Sequence, residues 1–233
     1  MIRAWYLDLM MIRQRMLVNL PVALVFCIWM GLQTQSLAVV IAAAVFMTYP
    51  MVGMQLGQYD ELKGWKSYRT TLPLSRRDIV AGRYLTLVAL LVVSLMVAAI
   101  SVGVYAVMAY LIPAVDMAAM VSPTSVSMAL LIGCGFLLAC TVMVCVMTVL
   151  FYRFGATTAT TMLPLLVVFA VLMVALFVGS LDESAVAAWS DGLLWLLSPE
   201  RLALCCGIFA ALTVAIMAAS AAISLRIYTR TEL

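Results

Sequence analysis

Residues 16–57, MLVNLPVALVFCIWMGLQTQSLAVVIAAAVFMTYPMVGMQLG, contain no charged side chain, and residues 58–83, QYDELKGWKSYRTTLPLSRRDIVAGR, follow them directly. The uncharged stretch is long enough for two helices across about 30 Å of hydrocarbon, because each helix needs about 20 apolar residues. The charged stretch after it predicts a loop outside the membrane. The sequence therefore indicates an integral membrane protein whose first two spans form a hairpin.

The rest of the chain has the same character. Of its 233 residues, 67% are hydrophobic and 10% are charged, against about 25% charged in soluble domains. A soluble fold of this size has too little interior for so much apolar surface. The long apolar runs lack the alternation of an outer-membrane barrel, so the predicted fold class is all-α integral membrane. Six transmembrane helices in a single domain are predicted, with spans at approximately 16–32, 36–57, 84–112, 127–152, 157–181 and 202–225.

The distribution of charge predicts the topology. If both termini and the loops at 58–83 and 153–156 lie on one side, that side carries every Lys and Arg except Arg201. Lys and Arg in short loops stay in the cytoplasm, so both termini are predicted to be cytoplasmic. An even number of spans agrees with that placement.

The segments at the membrane surface have their own signals. Residues 1–15 mix aromatic and basic side chains, which predicts an interfacial helix on the inner leaflet before span one. Residues 33–35 predict a tight outer turn. Residues 182–201 contain Trp189 and Trp195 and are too short to cross the membrane, so they predict an outer re-entrant or interfacial hairpin between spans five and six.

Small residues predict where helices pack closely. Gly53 and Gly57 lie on one face of span two, with the GxxxG spacing that allows close helix contact. That contact can be made inside the chain or across a dimer interface. Ala211, Ala215 and Ala219 predict a similar packing face on span six.

The charged loop divides at Pro73, because proline cannot continue a helix. Before it, Tyr59, Leu62, Trp65 and Tyr68 recur every three residues and predict a short amphipathic helix. After it, residues 75–78 (SRRD) resemble a capping box that begins a second helix. That second helix is predicted to continue through Arg83 into span three.

Missing residue types exclude several activities. The chain has no histidine, which removes Ser-His-Asp and Cys-His catalysis and HExxH metal sites. Its six cysteines lie in predicted spans without a CxxC pair, so no metal site is predicted. It has no GxxxxGK[ST] loop for ATP, and no charge near the middle of a span for ion coupling. We therefore expect no catalytic residue, no cofactor and no nucleic-acid partner; membrane lipid is an expected contact, and energy for any transport must come from another subunit.

The segments Thr71-Leu-Pro-Leu-Ser-Arg76, Ile79-Val80 and Arg83-Tyr84 resemble the first cytoplasmic loop of small bacterial ABC-2-type permeases. These are the membrane subunits of ATP-binding-cassette exporters. Thr71 replaces the serine that is commoner in the family. The resemblance implies a multi-pass protein of the bacterial cytoplasmic (inner) membrane. It also implies a second permease, identical or homologous, and a separate ABC ATPase subunit that holds ATP and Mg.

By this resemblance, residues 59–70 form a cytoplasmic coupling helix between spans two and three that docks on the ATPase. On physical grounds alone, the same helix can instead lie on anionic headgroups. The ATPase-coupling residues implied by the resemblance are Tyr59, Asp60, Glu61, Leu62, Trp65, Lys66, Tyr68 and Arg69.

The resemblance also places spans two and five beside a central pathway. The candidate pathway residues are Thr48, Val52, Gln55, Thr157 and Thr161. Their uncharged polar groups can equally form hydrogen bonds between helices of one subunit. A pathway without fixed charge favours an amphipathic substrate, such as a peptide, lipid or drug. The alternatives are a non-transporting membrane scaffold or immunity protein that binds a partner and, third, a lipid-modifying enzyme, for which the catalytic residues are missing.

Overall fold

The computed structural model describes residues 2–62, 75–111, 122–155, 192, 196 and 198–230. Within these ranges the long elements are five α-helices, each long and apolar enough to cross a membrane. This confirms an all-helical membrane protein over the described part of the chain. The helices are α1 (Ile2–Thr34), α2 (Leu37–Leu62), α3 (Arg76–Leu111), α4 (Pro123–Phe154) and α5 (Pro199–Arg230).

The five helices correspond to predicted spans one, two, three, four and six. Predicted span five, at 157–181, lies outside the described residues. So does nearly all of the predicted outer hairpin at 182–201, whose last residues belong to α5 from Pro199 onward.

α1 differs from its prediction. The interfacial helix expected at residues 1–15 is not separate, because Ile2–Thr34 is one continuous helix that includes Pro21. The side chains explain this: Asp8 is 1% exposed and Ile12 is 2% exposed, so the N-terminal turns pack against the other helices. A helix lying flat on a leaflet would instead leave a charged residue such as Asp8 exposed at the headgroups.

The turn between α1 and α2 is even tighter than expected. α1 extends to Thr34, and only Gln35 and Ser36 separate it from α2. The N–H of Gln35 donates to the carbonyl of Gly31 at 2.8 Å, and Gln35 has a φ of 49°, in the left-handed region. This turn confirms the predicted hairpin of spans one and two.

Two apolar clusters form the core of the described helices. The first surrounds Tyr49, Leu56 and Tyr84, and the second surrounds Cys27 and Tyr105. In the second cluster, the hydroxyl of Tyr105 donates to the carbonyl of Ile28, which joins α3 to α1. Each cluster draws residues from helices that are distant in sequence, so the described helices form one packed bundle.

One end of the bundle collects the start of α1, the end of α2, the start of α3 and the ends of α4 and α5. Asp8 of α1 contacts Arg83 of α3, Gly57 of α2 approaches Phe151 of α4, and the rings of Tyr152 and Tyr228 are 5.3 Å apart. We call it the basic end, because these basic residues lie near it: Arg13, Arg15, Arg77, Arg153 and Arg226.

A packing face at the alanines of span six stays a prediction, because it is not the face that α5 buries against the other described helices. Ala211, Ala215 and Ala219 are exposed. α5 instead buries Thr213, Met217, Ser220 and Ser224. The reason is chemical: hydroxyl groups on this face form hydrogen bonds with other helices, whereas alanines offer only close contact.

Candidate functional site

An apolar cavity of about 590 Å³ lies among α2, α3, α4 and α5. Val45, Leu95, Leu137 and Phe209 represent the four helices in its wall. Among the described lining residues, the polar side-chain atoms are the hydroxyl of Thr213 and the thiols of a cysteine pair. The Thr213 hydroxyl already donates to the carbonyl of Phe209 at 2.8 Å. The cavity can therefore hold a hydrocarbon chain or an apolar side chain, and its described wall offers no charge to an ion.

The cysteine pair joins two walls of this cavity. The Sγ atom of Cys134, on α4, is 3.6 Å from the Sγ atom of Cys206, on α5. Both are free thiols, since a disulfide would bring the sulfurs to about 2.05 Å. The described residues contain no cluster of three metal-ligating side chains.

A buried ion pair joins α1 to α3 at the basic end. Nε of Arg83 is 3.5 Å from Oδ2 of Asp8, and the two side chains are only 6% and 2% exposed. The interfacial helix predicted at residues 1–15 would leave Asp8 at the membrane surface, and Arg83 is predicted only as part of the helix that continues into span three. The available signal was a lone acidic residue among aromatic and basic neighbours in residues 1–15.

A buried hydrogen-bond network joins α3 to α5 and α4. The hydroxyl of Tyr84 lies 2.6 Å from Oγ of Ser220 and 2.9 Å from Oγ of Ser224. Oγ of Ser220 also lies 3.3 Å from the backbone carbonyl of Cys145, to which it donates. Sequence reasoning missed these serines, although their four-residue spacing places both on one face of α5.

The start of α3 confirms the predicted cap. The N–H of Asp78 donates to Oγ of Ser75 at 3.1 Å, and the Ser75 hydroxyl donates to Oδ2 of Asp78 at 2.7 Å. From Arg76 the helix continues without a break through Arg83 to Leu111. The second part of the charged loop is thus the first turns of a membrane span.

The first part of the loop is described only at its start. Tyr59, Asp60, Glu61 and Leu62 are the last residues of α2, so they continue span two rather than begin a new helix. The predicted coupling helix at residues 59–70 is therefore corrected at its start, because residues 59–62 belong to α2. The other candidate coupling residues lie outside the described residues: Trp65, Lys66, Tyr68 and Arg69.

The candidate pathway residues on α2 face the interior of the bundle. Thr48 and Val52 are each 2% exposed, and the Thr48 hydroxyl donates to the carbonyl of Ala44 at 2.6 Å. Gln55 is partly buried. Thr157 and Thr161 lie outside the described residues. A pathway role for all five stays a prediction.

The GxxxG glycines contact a helix of the same chain. A Cβ atom on Gly57 would lie 2.6 Å from two ring carbons of Phe151, and one on Gly53 would lie 3.5 Å from Val144. Both neighbours belong to α4. The geometry favours packing inside the subunit over the dimer alternative for this pair.

Comparison with known proteins identifies a family that the sequence matches. A family model described as an ABC-2 family transporter protein matches residues 6–229. The match extends over the charged loop and reaches into every described helix. A search of curated proteins finds no match.

Proposed function

The chain belongs to the ABC-2 family of transporter membrane proteins, and from this premise we propose that it is the permease subunit of an ATP-driven exporter. Family members of this kind are membrane components rather than enzymes and work with an ATPase. In this proposal a separate ABC ATPase binds ATP and Mg, and this chain pairs with a second permease. The observation that carries the proposal is the family match over nearly the whole chain.

We propose an amphipathic substrate. The apolar cavity supports this, because its described wall is hydrocarbon apart from the thiols of Cys134 and Cys206 and a Thr213 hydroxyl that is already hydrogen-bonded. A lipid tail or an apolar peptide side chain can enter such a space with little loss of polar hydration. A small ion would lose its water without gaining ligands there.

The proposed topology places the basic end in the cytoplasm of a bacterial cell. Arg13, Arg77, Arg153 and Arg226 all lie near that end, as expected of a cytoplasmic side. α4 and α5 run parallel, because Cys134 meets Cys206 near their starts and Tyr152 meets Tyr228 near their ends. Residues 156–198 therefore connect opposite ends of the bundle, and we assign the remaining predicted span, span five, to residues 157–181 within them.

The proposed ATPase contact is the loop at the basic end. Residues 63–74 connect α2 to the capped start of α3, so the loop emerges on the predicted cytoplasmic side. Trp65 and Arg69 are of the residue types that most often anchor protein interfaces. A partner bound there would be attached directly to the first turn of a transmembrane helix.

Co-purification tests the proposal. The tagged chain, purified from its native host, is expected to retain an ABC ATPase and its ATP hydrolysis. Replacing Trp65→Ala together with Arg69→Ala should release the ATPase while the membrane protein stays folded. Trp29→Ala is the matched control, because this tryptophan is 55% exposed on α1, away from the loop.

Two results would contradict the proposal. The first is a native chain that never retains an ATPase, which would favour the membrane scaffold. The second is a double variant that keeps the ATPase bound and fully active, which would remove the loop from the interface.

A further inference from the structure

We propose that Arg83 and Tyr84 are positioning residues that link α1 and α5 to the start of α3, so that these three helices move together when the loop is displaced. That the loop is displaced at all rests on the proposed function, in which the ATPase binds this loop. The links themselves rest on the described side chains.

The ion pair supplies the first link. Arg83 and Asp8 are both almost completely buried, and one nitrogen–oxygen distance is 3.5 Å. A buried pair of this kind is often no more stable than an apolar pair of the same volume, but removing one partner leaves an uncompensated charge. The pair therefore favours a single register between α1 and α3, and sliding of one helix along the other would separate the charges.

The tyrosine supplies the second link. Its hydroxyl contacts two serines one turn apart on α5, at 2.6 and 2.9 Å. Because Ser220 also contacts the backbone of Cys145, α4 joins the same network. Tyr84 is 7% exposed, and Ser220 and Ser224 are 6% and 0% exposed, so water does not compete freely for these groups.

The two residues are adjacent in sequence, yet they contact helices on different sides of α3. They also lie only about 10–12 Å from the capped start of the helix, given a rise of about 1.5 Å per residue. The cap formed by Ser75 and Asp78 preserves the first turn. A movement of the loop thus reaches both links through a short, continuous helix.

Labelling in nanodiscs can follow each helix separately. Single variants Arg13→Cys, Arg77→Cys and Arg226→Cys report on α1, α3 and α5, because these three residues are exposed near the basic end. Each is reacted with a charged, membrane-impermeant maleimide, with and without ATP and vanadate on the bound ATPase. The parent chain gives the background from the native cysteines. When both links are intact, adding ATP and vanadate is expected to change the labelling rates at all three sites by a similar factor.

Isosteric variants then remove one link each. Asp8→Asn is expected to abolish the response at residue 13 and leave those at 77 and 226. Tyr84→Phe is expected to abolish the response at residue 226 and leave those at 13 and 77. Tyr110→Phe is the control, since Tyr110 is 86% exposed near the other end of α3. The ATPase should stay bound to each variant during purification, which a general loss of structure in this chain would not allow.

The results separate the two proposals. Responses that persist at all three sites in both variants would overturn the positioning role. If ATP and vanadate change none of the labelling rates in the native chain, the proposed coupling to an ATPase fails. The ion-pair link is then tested by the thermal stability of the isolated chain. There, Asp8→Arg and Arg83→Asp should each lower the thermal midpoint, and the double swap should recover at least half of that loss. Additive losses would overturn the link itself.

Discussion

Replacing each of the two GxxxG glycines by alanine should affect stability differently. On Gly57, a Cβ atom would lie 2.6 Å from Cδ2 and Cζ of Phe151. On Gly53, the nearest atom would be a methyl carbon of Val144 at 3.5 Å, an ordinary contact. The glycines are on one face of one helix, so each is the control for the other.

The magnitude follows from two terms. Alanine in a helix interior is favoured over glycine by about 0.5–1 kcal/mol. Overpacking costs about 1–3 kcal/mol, and the Phe151 ring would have to move by about 1 Å to restore a normal contact. Gly53→Ala should therefore be neutral or stabilising by up to about 1 kcal/mol. Gly57→Ala should be less stable than Gly53→Ala by about 1–3 kcal/mol.

Equilibrium unfolding in mixed micelles of increasing sodium dodecyl sulfate measures both variants. Adding Phe151→Leu should recover most of the Gly57→Ala loss, because a smaller side chain opens space at this contact. Equal stability of the two alanine variants would refute the packing of α2 on α4 through Gly57. An unchanged unfolding curve with a reduced dimer fraction would favour the dimer contact instead.

Three further predictions concern local geometry. Oxidation with copper phenanthroline should join Cys134 to Cys206 by a disulfide, because their sulfurs are 3.6 Å apart. Mass spectrometry should show the loss of two hydrogens, and the Cys206→Ser variant should not show it. Gly155→Ala should destabilise the chain by about 1–3 kcal/mol in micelle unfolding, because Gly155 has φ 83° and ψ 168°; an unchanged curve would contradict that backbone. Gln35→Gly should be neutral or stabilising by up to about 1 kcal/mol, whereas Gln35→Val should destabilise, since φ is 49°; the reverse order of thermal midpoints would refute the tight turn.

Local signals in the sequence predicted much of the architecture. The apolar runs marked the spans, because a helix needs about 20 predominantly apolar residues to cross the hydrocarbon layer. The start of α3 was predicted from Ser75 and Asp78, whose interaction involves residues in a single turn. The hairpin of α1 and α2 followed from the three polar residues between two apolar runs.

Partners across the bundle were not predictable in the same way. Asp8 looks like a surface charge until the structure places Arg83 beside it, and the sequence around either residue does not indicate that the other is its partner. The same holds for Tyr84 and its serines on α5. Alanine spacing did not indicate the face that α5 buries against the described helices, because the hydrogen bonds that select this face come from two other helices.

The length of α1 has a consequence for the surrounding lipid. Its 33 residues extend about 50 Å, whereas the hydrocarbon layer is about 30 Å thick. The excess must be absorbed by tilt or by turns that emerge among the headgroups. Because Asp8 is near the N-terminal end of that excess, we expect acyl-chain length to set how deep the Asp8–Arg83 pair lies in the membrane. Membrane thickness would then act on this protein as an effector that occupies no binding site.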